Sequence, residues 1–106
     1  VDLTTLQTEV GNWAEYNFPG LSSSNALMVV FEEVGELSHA HLKGLQGIRY
    51  TPEVIHRKKV DAIGDILIGL LHYCHAEKIN LELCLVSTWN QVKHRDFQKD
   101  KIRGGE

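Results

Sequence analysis

Apolar residues recur at intervals of three and four along most of this chain, the period of helices buried on one side. No segment alternates apolar and polar residues with β-branched enrichment, and there is no Asn-Gly hairpin signal. The pattern predicts four helices. The first runs from Asp2 to Asn17, with Leu3, Leu6, Val10, Trp13 and Tyr16 at helical spacing. Phe18-Pro19-Gly20-Leu21 breaks it, and the following serines offer an N-cap. The second helix runs from Ser24 or Asn25 to Lys43 and ends at Gly44. Thr51-Pro52-Glu53 opens the third: Thr caps, Pro fits the first turn and Glu complements the positive end of the dipole. That helix extends to about Glu77, and Asn80 caps a fourth that reaches about Gln98. These elements form one domain, 1–98, followed by a polar tail, 99–106.

The third helix is apolar around most of its circumference from Val60 to Cys74. Such a helix must be covered on several sides. Four helices in 106 residues leave it too exposed, so the predicted fold is an all-α, four-helix bundle-like subunit that assembles as a homodimer or tetramer. Composition narrows the classes. An apolar fraction of 42% is ordinary for a globular protein. A net charge of −3 argues against a general nucleic-acid binder. No apolar run reaches the roughly 20 residues of a membrane span, and the start of the chain lacks a signal-peptide layout. Cys74 and Cys84 have no metal-binding spacing and read as reduced packing residues, so a cytoplasmic protein is expected.

Against this background the acids stand out. Glu32, Glu33 and Glu36 lie in the second helix, in FEEVGELSHAHLKG, and Asp61 and Asp65 lie in the third, in VDAIGDILIGLL. Carboxylates inside helices of this kind need a positive partner. Glu33 and Glu36 are about 60° apart on one face, with Glu33 inside the apolar sector and Glu32 further out. Asp61 and Asp65 share a face of the third helix. Gly35 and Gly64 sit beside the acids, which suggests a close approach there of the helices or of a ligand. The simplest arrangement sets Glu33 and Glu36 opposite Asp65 across a cleft. An oxygen-only donor set suits a hard cation, Mg²⁺ with Mn²⁺ as substitute, and there is room for a second ion. The plain alternative is a solvated acidic face, which Glu32 alone would satisfy.

EEVGEL followed by a helix carrying D-x-x-G-D-I-L resembles the MazG-like branch of the all-α nucleoside triphosphate pyrophosphohydrolases. That family carries EExxE on one helix and ExxD on the next. Glu32, Glu33 and Glu36 match the first half, and Asp65 matches the Asp of the second. Asn25, Ile79-Asn80-Leu81 and the ending WNQVKHRDF also look like family features. The chain departs at Ala62, where the family has Glu; either Asp61 supplies that ligand or the site has one fewer. The resemblance implies hydrolysis of a nucleoside triphosphate, often a deoxynucleotide, to monophosphate and pyrophosphate, in the service of nucleotide-pool cleansing. Glu33, Glu36, Asp65 and Asp61 would hold the metal, and Glu32 would orient or deprotonate the attacking water.

Cations and a base-contacting ring should accompany the acids. Lys93 and Arg95 resemble the family's basic C-terminal stretch, and Lys43 lies beyond Glu36; a solvated helix end explains any one of them as well. Trp13 resembles an aromatic that packs near the base, although core packing is the simpler reading. Trp89 reads as core or subunit interface, and Asn25 as a helix cap or a nucleotide contact. His72 shares the face of Asp61 and Asp65. Glu36-Leu37-Ser38-His39 is an ExxH, which raises the alternative of a di-iron carboxylate protein. That class needs a second ExxH, and Ile68 stands where the third helix would need the His. A non-enzymatic helical dimerisation module is the remaining alternative; it leaves the aligned acids unexplained.

Overall fold

The structure, a computed structural model describing residues 1–99, is all-α. It comprises α1 (Leu3–Asn17), α2 (Ser23–Gln46), α3 (Pro52–Ala76) and α4 (Leu81–Val92). The predicted tail lies, from residue 100 on, outside the described residues. Each helix starts on a side chain that occupies an otherwise orphaned backbone N–H. Asp2 accepts from the amides of Thr4 and Thr5 at 2.9 and 3.3 Å. Ser22 and Asn25 form a reciprocal capping box at the start of α2. Thr51 Oγ1 accepts from Val54 N at 3.3 Å, and Asn80 Oδ1 from Leu83 N at 2.9 Å.

Two predicted helix ends move. α2 continues through Gly44 and stops at Gly47, which takes the left-handed conformation with φ 67°. Gly44 serves packing instead: a Cβ there would stand 3.3 Å from Ile55 Cγ2 of α3. The fourth helix ends at Val92, not near Gln98. It has no buried residue to hold further turns. Downstream, Asp96 Oδ1 accepts from the amides of Gln98 and Lys99, both at 3.1 Å, and local bonding of this kind competes with helix.

The most extensive packing joins α2 to α3, an antiparallel hairpin closed by residues 47–51. At Gly69 the two helices come close, since an added Cβ would lie 3.1 Å from Val30 Cγ2. α1 packs on α3, and α4 on α1. The seam of α1 is Gln7, Gly11 and Ala14, not its larger apolar residues. Gln7 Nε2 donates to Ile79 O at 2.7 Å, and Gln7 Oε1 accepts from Leu81 N at 2.9 Å. This one amide therefore ties α1 to the α3–α4 connection and satisfies the first amide of α4. Gln7→Leu leaves both groups unpaired and is expected to destabilise the fold by about 1–3 kcal/mol, read as a lower midpoint in urea unfolding.

The third helix is partly covered, as its pattern requires. Ile55, Ala62, Gly69, Leu71 and Cys74 are buried, whereas Val60, Ile63 and Leu67 stay about half exposed. Trp13 and Trp89 are 53% and 57% exposed, so neither is a core residue of this subunit. Both cysteines are free, Cys74 buried and Cys84 exposed; the second does not pack as expected. Among the described residues no helix is long and apolar enough to cross a membrane.

Candidate functional site

The α2–α3 hairpin brings the predicted acids together. Glu33 and Glu36 from α2 and Asp61 and Asp65 from α3 line one cleft of about 300 Å³. His39, Ala40, Lys58 and Ala62 complete its wall. The cleft exists because the side chains between the helices are small at this level: Ala40 is 1% exposed and Ala62 4%. Ala62 is thus a buried floor residue, and Asp61, one position earlier, reaches the same cleft. Glu32 is exposed and lines neither this cleft nor the cavity beside it.

Glu33 has the most demanding surroundings of the four. Burial raises its carboxyl above the ordinary value of 4.5, and the charges of Asp65, Glu32 and Glu36 act in the same direction. Among the described residues no His, Cys, Asp or Glu triplet converges as a ready metal cage. The carboxylates line the cleft without meeting at a point. Their donor chemistry fits a hard divalent ion that keeps several waters and substrate oxygens, a mode of binding that needs few protein ligands. The mutual repulsion around Glu33 is what such an ion would relieve.

A second cavity of about 340 Å³ adjoins the cleft and shares Glu33 and Asp65 with it. Its walls include Trp13, Phe18, Leu21, Asn25, Val29 and His72. Trp13 and Phe18 meet edge to face, with ring centroids 5.6 Å apart. Trp13 therefore forms a pocket wall, and His72 lines this pocket and not the acidic cleft. Asn25 completes the α2 cap, and it also lines this pocket. Phe18 and Leu21 follow the break in the first helix, and nothing in the helical periodicity marks them as site residues.

The predicted cations are distributed differently. Lys93 caps the end of α4 and Arg95 follows it; neither lines the cleft or the pocket. Lys43 donates to Gln46 Oε1 at 3.0 Å and lines a separate cavity at the α2–α3 turn. The lysine that lines the acidic cleft is Lys58, whose Nζ lies 4.8 Å from the centre of the Tyr50 ring. Its position three residues before Asp61 and seven before Asp65 was the available sequence signal. Gly35 and Gly64 are not points of close helix approach: an added Cβ at either would meet nothing within 4 Å. No protein-family model, no curated protein and no solved structure matches this chain.

Proposed function

We propose that this chain is a divalent-metal-dependent hydrolase of nucleoside triphosphates, releasing a monophosphate and pyrophosphate. One observation carries the reading: a four-carboxylate cleft opens, through Glu33 and Asp65, into an aromatic-walled pocket of about 340 Å³. That volume lies in the range of small-ligand sites, roughly 300–1,000 Å³. A base and sugar in the pocket would place their phosphates at the acids. Glu33, Glu36, Asp61 and Asp65 would hold Mg²⁺, or Mn²⁺ in its place. When bound, the ion supplies charge neutralisation for the triphosphate and acidifies the attacking water.

The water oxygen bonds to the α-phosphorus while the bond from that phosphorus to the α–β bridging oxygen breaks. Pyrophosphate leaves with the bridging oxygen, and a carboxylate takes the proton of the water. Glu32 lines neither cavity, so a cleft carboxylate oxygen left free of the ion would take that proton. Lys58 lines the same cleft and offers its ammonium to phosphate oxygens. Trp13 and Phe18 flank the base, and Asn25 offers a polar edge to the nucleoside. A deoxynucleotide preference and a role in pool cleansing rest on the sequence resemblance. The half-exposed Val60, Ile63 and Leu67 support assembly into a homodimer or tetramer, and a cytoplasmic location accords with the free cysteines.

The di-iron alternative gains little support, since His39 is the sole histidine among the residues lining the cleft. The test is a panel of NTPs and dNTPs incubated with Mg²⁺, with pyrophosphate and orthophosphate measured separately. Pyrophosphate release with at least one nucleotide is expected. Orthophosphate alone, or no turnover with any nucleotide, would exclude the proposal.

A further inference from the structure

The largest cavity described lies at the α2–α3 turn, has a volume of about 610 Å³ and shares no lining residue with the acidic cleft. Its charge is opposite. Lys43, Lys59, His41 and His56 line it, with the Tyr50 ring, and no carboxylate does among the described residues. Pro52, the first residue of α3, also lines it, so the positive end of that helix dipole adds to the field. Lys58, poised over the Tyr50 ring, brings a further positive charge to its rim.

The cavity lies at the turn end of the hairpin, beyond the acids. His41 lies roughly 140° round α2 from Glu36, and Lys59 roughly 160° round α3 from Asp61. Lys43, seven residues after Glu36, leaves α2 on nearly the same side as that acid but roughly 10 Å further along the axis, so the two sites are separated mainly along the hairpin. The floor is apolar and fixed: Ile55 is buried, and the missing Cβ of Gly44 lets it sit against α2. Two lysines match the double charge of a phosphoryl group, which a single carboxylate would not. Ammonium and imidazole N–H groups together supply at least one donor for each of its three terminal oxygens.

We propose that this turn cavity is a second, metal-independent binding site for a phosphoryl-group anion, distinct from the acidic cleft. The inference does not depend on the hydrolase reading, because it concerns binding with the metal removed. The phosphoryl group comes either from an inorganic anion or from the phosphate end of a nucleotide. The lysines and histidines recognise the group itself, and the Tyr50 ring adds a surface that only a nucleotide would use.

The test is amide chemical-shift mapping of the full chain in EDTA, titrated separately with inorganic phosphate, pyrophosphate, a nucleoside monophosphate and the free nucleoside. Pyrophosphate should shift amides of residues 41–47 and 52–59 and leave those of residues 33–36 unmoved. A larger response of Tyr50 to the monophosphate would identify a nucleotide site, and equal responses an inorganic-anion site. K43Q/K59Q should weaken pyrophosphate binding by at least about tenfold. H56Q, a single change at an exposed position, should weaken it measurably with the fold untouched. D65N should leave it unchanged. Pyrophosphate that shifts nothing at the turn, or that binds the lysine variant as it binds the native chain, would overturn the proposal. Neither result bears on nucleotide turnover, which the phosphate-release panel decides alone.

Discussion

Glu36→Gln and Asp65→Asn are each expected to lower Mg²⁺-supported pyrophosphate release by at least about 100-fold with helix content intact. Even groups that only support a metal ligand typically alter affinity or activity 10–100-fold, and these two carboxylates are placed as ligands themselves. Both are exposed and lie on opposite walls of one cleft, so the amides are tolerated by the fold. Far-ultraviolet circular dichroism and stopped-time pyrophosphate assays together make the measurement. Turnover that survives either substitution would remove the cleft from the mechanism. Asp61→Asn belongs in the same series, because Asp61 reaches the cleft from beside the buried Ala62. A loss comparable to that of Asp65→Asn would assign it the place that the family pattern gives to Glu. Native activity would show that three carboxylates suffice.

Glu33→Gln is expected to abolish turnover and, in the absence of metal, to stabilise the protein. The first follows from the loss of a proposed metal ligand, the second from the metal-free surroundings of the carboxylate. Burial and the charges of Asp65, Glu32 and Glu36 raise the Glu33 carboxyl above its ordinary value. An acid whose affinity for protons is higher in the folded chain makes the folded state pay for ionisation. That penalty is fully present above the raised folded value and disappears below the unfolded one. The metal-free unfolding midpoint of Glu33→Gln should therefore exceed that of the native protein near pH 7 and converge on it as pH falls toward 4.5, the ordinary value. Added Mg²⁺ should raise the native midpoint more than that of the variant, because a ligand that binds only the folded state stabilises it by mass action. A variant no more stable than the native protein without metal would mean that the repulsion is relieved by solvent.

The helices and their starts were legible because their causes are local. Ser22, Thr51 and Asn80 bond amides within a few residues of themselves, and such contacts survive from chain to fold. The placement of Glu33 and Glu36 toward Asp65 was legible for the same reason, since helical angle alone sets which way a side chain leaves the axis. The ends of α2 and α4 were less so. Gly44 and Gly47 are equivalent as letters, yet one stays helical against Ile55 and the other supplies the left-handed turn. Which glycine stops the helix depended on what α3 brings against it. Trp13 was misjudged as core because an aromatic at helical spacing fits a core and a pocket wall alike.

By itself the sequence determined the all-α class, three of the four caps and the gathering of carboxylates on facing sides of two helices. These follow from periodicity and short-range hydrogen bonding. Only the tertiary structure decided which cations accompany the acids, that an aromatic pocket shares Glu33 and Asp65 with their cleft, and that Lys43 and Lys59 line a separate cavity. Those relations depend on the register in which α3 lies against α2. That register is set by the small residues Gly44, Ala62 and Gly69 at the contact and by the length of the turn. Neither can be read from one helix at a time.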